Sequence, residues 1–245
     1  MKALSLVLPL VLAAAAGGQQ RVPVIVELFT SEGCSSCPPA DQLLSNIERQ
    51  QPVAGVELIA LGEHVDYWDS LGWKDRFSSA LFTARQQEYG RVFRLDSVYT
   101  PQVVVNGQAQ ALGSDWRDVQ KAVRSAAEGP KATVGISLTG YDSLSFRIDN
   151  LPAGTRGADI LLAVTESDIE SAVERGENKG RRLRHSAVVR SLTSLGRFDA
   201  KKDNAYSAEA RLNLNPQWNR RNLRLVLFVQ DRTSLRILGA ASIRL

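Results

Sequence analysis

Cysteine, histidine and methionine are scarce in this 245-residue chain, which has two cysteines, two histidines and one methionine. Two cysteines are too few for a disulfide-rich scaffold or for a site with four cysteine ligands. Any chemistry that uses thiols or imidazoles therefore depends on Cys34, Cys37, His64 and His185. A formal net charge of only +4 at pH 7 gives no reason to expect nucleic acid as the partner.

Long apolar runs are lacking as well, except at the N-terminus. Residues 3–16 form an apolar run that follows Lys2 and precedes small residues, which is typical of a secretory signal peptide. The run is shorter than the roughly 20 residues that cross a bilayer. We predict a signal peptide over residues 1–18 and a periplasmic or secreted mature protein without a membrane span. An uncleaved membrane anchor is the alternative.

The two halves of the remaining chain have different patterns. Residues 21–128 alternate between buried strands (22–29, 56–61, 102–105) and helices (38–49, 78–88, 114–128), and Asn106-Gly107 is typical of a hairpin turn. After Gly129-Pro130 the pattern predicts seven short strands, at 133–138, 145–149, 159–165, 183–190, 206–214, 223–230 and 237–245. We therefore expect an α/β domain over 21–128 and a small all-β, sandwich-like domain over 131–245.

A C-x-x-C motif, Cys34-Ser35-Ser36-Cys37, follows the first strand and opens a helix. Free N–H groups and the dipole at a helix N-terminus favour a thiolate there. We predict that Cys34 is an exposed nucleophile near the helix cap and that Cys37 is a more covered, resolving thiol. A structural disulfide is the alternative, but so short a loop would stabilise the fold by only about 2 kcal/mol.

The arrangement resembles the thioredoxin superfamily over about residues 21–128. The resemblance implies that Pro101, at the head of a strand, forms a cis peptide facing the cysteines, and that Thr100 offers its backbone to a substrate strand. More specifically, four stretches are similar to DUF1223, a family of exported bacterial proteins with no assigned reaction: ELFTSEGCSSCPPAD, HVDYWD, VYTPQVVVNG and GENKGRRLRHSAVVR. This similarity implies a thioredoxin-like fold and export, and an activity only by analogy with the superfamily.

The motif departs from thioredoxins, which carry a buried Asp before the cysteines and usually Gly-Pro between them. Here Glu27 and Ser35-Ser36 stand in similar places. We predict that Glu27 lies beneath the disulfide and takes a proton from Cys37. A glutamate in a salt bridge at a strand end is the alternative.

Aromatic side chains follow the second strand, after His64. We predict that His64, Trp68 and Tyr99 line a substrate groove, with a packed loop as the alternative. A sharper alternative is a copper(I) site formed by Cys34, Cys37 and His64. A closed zinc site would need His185 as a fourth ligand.

The most basic stretch runs from Arg175 to His185 and has no aromatic residue interleaved, so nucleic acid is a poor interpretation. It is expected to be a solvated loop and edge strand, or a polar patch that faces the N-terminal half and selects acidic partners.

These observations together predict an exported thiol–disulfide oxidoreductase. Cys34 attacks, Cys37 resolves, and Thr100-Pro101 holds a strand of the partner. The partners are protein thiols or disulfides of the cell envelope, and no organic cofactor is needed because the dithiol carries the electrons. The alternatives are a module that binds copper(I) or a partner protein, and a structural envelope protein.

Overall fold

A computed structural model describes residues 21–199 and 205–245, so the predicted signal peptide lies outside the described residues. No helix in these two ranges is long and apolar enough to cross a membrane. The helices are α1 (Pro38–Gln50), α2 (Ala80–Phe93) and α3 (Trp116–Ala127), with short 3₁₀ turns at Asp69–Leu71 and Arg220–Asn222.

The strands follow one another in two groups. Those before residue 129 are β1 (Val22–Thr30), β2 (Val56–His64), β3 (Gln102–Val105) and β4 (Ala109–Leu112). Those after it are β5 (Thr133–Gly140), β6 (Ser143–Asp149), β7 (Ala158–Glu166), β8 (Ile169–Ala172), β9 (Arg182–His185), β10 (Val188–Phe198), β11 (Ala205–Arg211), β12 (Leu223–Asp231) and β13 (Ile237–Arg244).

Local sequence signals explain most of these elements. The β-branched residues of β1 are buried on both faces, as expected for a central strand. Two prolines occupy the first turn of α1, where a missing N–H is tolerated. Asn106 and Gly107 both have positive φ, 50° and 61°, and join β3 to β4 in the predicted hairpin.

The predicted fold class, a thioredoxin-like α/β domain followed by a small all-β domain, is wrong. Eight strands from both halves form one mixed sheet in the order β13-β12-β7-β10-β2-β1-β3-β4. The halves join where β10 runs parallel to β2, with Val188 opposite Gly62 and the amide of Gly62 donating to the carbonyl of Ala187 at 2.7 Å. Strands make up 42% of the structure and helices 20%, so the molecule is mainly β. The division into domains at Gly129-Pro130 stays a prediction.

The sheet curls, so that β13 returns towards β1. Asn106 links them, because it accepts the amide of Ile25 on its side chain and that of Ile237 on its carbonyl. Helices α1 and α3 pack on one face, over the even-numbered residues of β1 and β2. The opposite face, with Ile25 and Ile59, packs against α2 and the inner side of β12 and β13.

The rest of the second half covers the outer side of the curled sheet. A three-stranded sheet, β11-β6-β5, packs there around Leu144, Phe146 and Ile148. The predicted strand at 183–190 is in fact two strands, because the chain turns at Ala187, which has a φ of +53°. The first of them, β9, pairs only with β8.

Candidate functional site

The two cysteines form a disulfide at the N-terminus of α1, with their Cα atoms 5.4 Å apart. Cys37, not Cys34, is the capping residue of the helix. The prediction of an exposed Cys34 is wrong, since both cysteines are 0% exposed. Only Ser35 and Ser36, at the tip of the loop, reach solvent, and the Ser36 hydroxyl lies 3.4 Å from Cys34 Sγ.

Part of the second half covers this loop. We call Gly176–Asn178 the cover segment. The buried Asn178 side chain donates from Nδ2 to the carbonyls of Glu32 and Cys34, at 2.9 Å each. The exposed Glu177 accepts the amide of Ser35 at 2.9 Å. The basic stretch therefore does face the first half, although selection of acidic partners stays a prediction.

Four buried ionisable side chains lie next to the disulfide loop, and we call Glu32, His64, Asp75 and His185 the ionisable cluster. His64 Nδ1 is 2.6 Å from Asp75 Oδ2, and His185 Nε2 is 3.1 Å from Glu32 Oε1. The same oxygen of Asp75 accepts the amide of Glu32 at 2.9 Å. The two imidazole rings are in contact, with centroids 5.0 Å apart. The cluster thus joins both histidines to the residue two positions before Cys34.

The charges of the cluster follow from its pairing. Burial alone would lower the pKa of His64, but the Asp75 carboxylate on Nδ1 raises it above its ordinary value. Burial would raise the pKa of Asp75, yet the His64 charge and hydrogen bonds lower it to about 2. Burial would raise the pKa of Glu32, but its hydrogen bonds with His185, Ser171 and Trp73 together lower it. The raised pKa of His64 favours its protonated form beside the Asp75 carboxylate.

Asp41 extends this cluster towards Cys37. It lies in the first turn of α1, is buried, and accepts the Thr30 hydroxyl at 2.8 Å. Its amide donates to the carbonyl of Cys37 at 3.1 Å. Burial raises the pKa of Asp41, although its electrostatic interactions with His185 and His64 partly oppose this.

The substrate groove stays a prediction, although two residues assigned to the substrate side of the site, Trp68 and Thr100, are joined by a hydrogen bond. The peptide between Thr100 and Pro101 is cis, as predicted. Trp68 joins this segment to the cysteines, because its Nε1 donates to Thr100 Oγ1 at 2.8 Å while its Cβ lies against Gly33. Tyr99 is half-buried, with its hydroxyl 2.5 Å from Gln110 Oε1. His64 lies apart from these residues, in the ionisable cluster.

Glu27 occupies a different place from the one predicted. It points to the α2 face of β1, whereas α1 covers the opposite face, so it does not lie beneath the disulfide. Its carboxylate accepts hydrogen bonds from Arg85 and from the Tyr89 hydroxyl, the latter at 2.6 Å. Gln230 completes this group by bonding both Arg85 and Tyr89. The alternative of a salt-bridged glutamate describes it better.

Glu63 is the neighbour of Glu27 in this second group. Arg85 Nε is 3.5 Å from Glu63 Oε1, and neither carboxyl oxygen of Glu63 has a hydrogen-bond partner in the described chain. Burial and the nearby Glu27 charge raise the pKa of Glu63 well above its ordinary value. The raised pKa of Glu63 favours its protonated form within this buried polar group, which ties α2 to β1, β2 and β12.

The copper and zinc alternatives do not fit the structure, because the predicted ligand atoms are already bonded to other groups. The two sulfurs are bonded to each other, and His64 Nδ1 is held by Asp75. His185 does lie beside His64, but its Nε2 is bonded to Glu32. Within residues 21–199 and 205–245, no group of three or more His, Cys, Asp or Glu is arranged to hold a metal.

Sequence reasoning missed several residues of the site. Glu32 could have been noticed from its position two residues before Cys34. Asp75 and Asn178 carry no local signal, because only the tertiary fold brings them to the disulfide loop. Asp41 is visible in hindsight as an acidic residue one turn into an otherwise apolar helix face.

The family model described as protein of unknown function, DUF1223, matches residues 25–230. The chain belongs to the DUF1223 family. This DUF1223 protein is also similar to a crystal structure of a protein from Agrobacterium tumefaciens, with 27% identity and a TM-score of 0.74 over 92% of this chain and 96% of that one. The Agrobacterium protein carries no named activity, and no curated protein matches the sequence.

A second solved structure, a domain of the outer membrane lipoprotein Omp28 from Porphyromonas gingivalis, matches 48% of this chain and 90% of its own. Its identity is 11% and its TM-score 0.26, values too low to support any argument.

Proposed function

We propose that this DUF1223 protein is an exported thiol–disulfide oxidoreductase whose reactive pair is Cys34 and Cys37. The main support is that the disulfide lies beside the ionisable cluster. A cross-link over so short a loop stabilises the fold by only about 2 kcal/mol. Buried ion pairs are poor stabilisers, because desolvation offsets their attraction. Their joint presence is better explained if the charges set the reactivity of the thiols.

The reaction moves two electrons between the pair and a partner protein. In one direction, a partner thiolate attacks Cys34 Sγ, the bond between the cysteine sulfurs breaks, and Cys37 leaves as a thiolate that takes up a proton. A second partner thiolate then attacks the mixed disulfide and releases Cys34, which is protonated in turn. The partner is oxidised to a disulfide and the pair is reduced. In reverse, the Cys34 thiolate attacks a partner disulfide and Cys37 resolves it.

Several groups would support these steps. The N-terminus of α1 would favour a thiolate electrostatically, and so would His64, whose raised pKa favours its protonated form. The Ser36 hydroxyl is placed to donate to Cys34 Sγ. Asp41, in the first turn of α1, would take the role predicted for Glu27, as the proton acceptor for Cys37.

The partner strand would dock beside Trp68 and Thr100. The backbone amide and carbonyl of Thr100 make no hydrogen bond within the described residues, so both are available to an added strand. Because both cysteines are buried and the cover segment is bonded to the backbone of their loop, we infer that exchange requires Glu177 and Asn178 to move away first.

The reduction potential of the pair tests this proposal. The purified protein is equilibrated in glutathione buffers, and its thiols are trapped and counted by mass spectrometry. A reversible transition between about −270 and −120 mV is expected for an exchange enzyme. A pair that stays oxidised below about −300 mV would be a structural disulfide and would refute the proposal.

Two matched variants separate the roles of the cysteines. Cys34→Ser and Cys37→Ser remove the same disulfide, so they share any effect on folding. We expect Cys37→Ser to accumulate mixed disulfides with envelope proteins and Cys34→Ser to accumulate none. Asp41→Asn is expected to slow exchange and to shift its pH profile, since the proton acceptor is lost. Equal trapping by both cysteine variants would contradict the assignment of Cys34.

A further inference from the structure

A small pocket lies at the C-terminal end of α1, at the opposite end of that helix from Cys37. Its volume is about 200 Å³. The loop after β7 and the first residues of β12 form its other walls. Four arginines and two carboxylates line it: Arg49, Arg221, Arg224, Arg244, Glu48 and Asp168. We call it the basic pocket.

Two of these arginines are held against each other by the sheet. Arg224 and Arg244 are directly opposite partners in the antiparallel pair of β12 and β13. Like charges in that position destabilise a sheet. The side chain of Arg224 has a neutral hydrogen-bond partner in the described structure, because its Nη1 donates to Ser242 Oγ at 3.4 Å. The fold thus keeps two positive charges together at the mouth of the pocket.

The carboxylates of the pocket do not neutralise these arginines. Asp168 pairs with Arg49 at 2.6 Å. Both oxygens of Glu48 accept the Ser167 hydroxyl, at 2.8 and 2.9 Å. In the two described ranges of the chain, none of the other three arginines has a carboxylate within ion-pair distance.

We propose that the basic pocket binds a phosphate group. Guanidinium groups donate paired hydrogen bonds that match the oxygens of phosphate, and three of them here lack a counter-charge. The C-terminus of α1 disfavours an anion, but the helix dipole amounts to only about half a charge there. The volume suits a phosphate and is below the roughly 300–1,000 Å³ of pockets that enclose larger ligands.

This site is independent of the chemistry at the disulfide. Helix α1 has 13 residues and is therefore about 20 Å long, so the pocket and Cys37 do not share a ligand. The phosphate could be a free ion or small phosphomonoester, or the headgroup of a lipid.

Calorimetric titration of the purified protein with inorganic phosphate at low ionic strength tests the proposal. The double variant Arg224→Gln/Arg244→Gln is expected to weaken binding about tenfold or more. Arg117→Gln/Arg124→Gln, which removes the same charge from the exposed face of α3, serves as the control and is expected to bind as the parent does. Equal weakening in both variants would overturn the proposal.

Two further measurements make the result specific. Without phosphate, Arg244→Gln is expected to melt at a higher temperature than the parent, because the repulsion between Arg224 and Arg244 is removed. Added phosphate should then raise the melting temperature of Arg244→Gln by less than it raises that of the parent. Vesicles of neutral lipid with and without phosphatidic acid then show whether the bound phosphate belongs to a lipid headgroup or to a free anion. Binding to the acidic vesicles identifies a headgroup, whereas binding of inorganic phosphate alone identifies a free anion. A parent protein that binds neither refutes the site.

Discussion

The cover segment makes a quantitative prediction about access to the disulfide. Asn178 donates two hydrogen bonds to the carbonyls of Glu32 and Cys34. At about 1 kcal/mol net for each bond, Asn178→Ala should favour the open form by about 2 kcal/mol. Since 1.4 kcal/mol is a factor of ten, the open fraction should rise about thirtyfold. If exchange occurs only in the open form, the rate of reduction should rise by the same factor.

The assay is the rate at which dithiothreitol reduces the pair, followed by thiol trapping and mass spectrometry. Lys179→Ala is the control, because Lys179 is an exposed neighbour whose side chain makes no hydrogen bond in the described structure. Glu177→Gln keeps an acceptor for Ser35 and should have only a small effect. Denaturant unfolding of each variant checks that the fold stays intact. A rate for Asn178→Ala within about threefold of the parent would show that reduction does not depend on opening of this segment.

Three more predictions concern the buried charges. Because the pKa of His64 is raised and that of Asp75 is lowered to about 2, their pairing should stabilise the fold fully between about pH 4 and 6.5 and less at higher pH. The difference in unfolding free energy between parent and Asp75→Asn should therefore shrink from pH 6 to 9, and a constant difference would contradict the pairing. The pKa of Glu63 is raised, so Glu63→Gln should gain stability over the parent as pH rises above 4.5, measured by urea unfolding. Arg85→Met should lower the unfolding free energy by about 3–5 kcal/mol, because it leaves the Glu27 carboxylate buried without its cation, and a loss below 1 kcal/mol would show that the network relaxes.

The local elements of this fold could be predicted, and the architecture could not. Helix α1 begins at Pro38 as expected, and the Asn106-Gly107 hairpin forms, because their signals lie within a few residues. The sheet that both halves share depends on the pairing of Gly62 with Val188, and no local sequence pattern predicts this pairing. The predicted fold class, with its α/β and all-β parts kept apart, was therefore wrong, although most of its strands form close to where they were predicted.

The residues of the candidate site were likewise predictable only where their signals are local in the sequence. The cis peptide at Pro101 was predicted because the resemblance to the thioredoxin superfamily implied it, and the structure confirms it. The orientation of Glu27 depends on which face of β1 the helix α1 covers, and the sequence alone does not reveal that face. The burial of Cys34 depends on Asn178, which is 144 positions away.

The 144 positions between Cys34 and Asn178 have a consequence for the synthesis and folding of the chain. At about 5–20 residues per second, ribosomes need roughly 7–29 s to add the 144 residues between Cys34 and Asn178. During synthesis the cysteines exist for that time without their cover. Oxidants and reductants can reach the two cysteines of the nascent chain freely. In the folded protein, by contrast, they are expected to reach the pair only when the cover segment opens. The pair is therefore expected to exchange fastest before the chain is complete, and more slowly once the cover segment is in place.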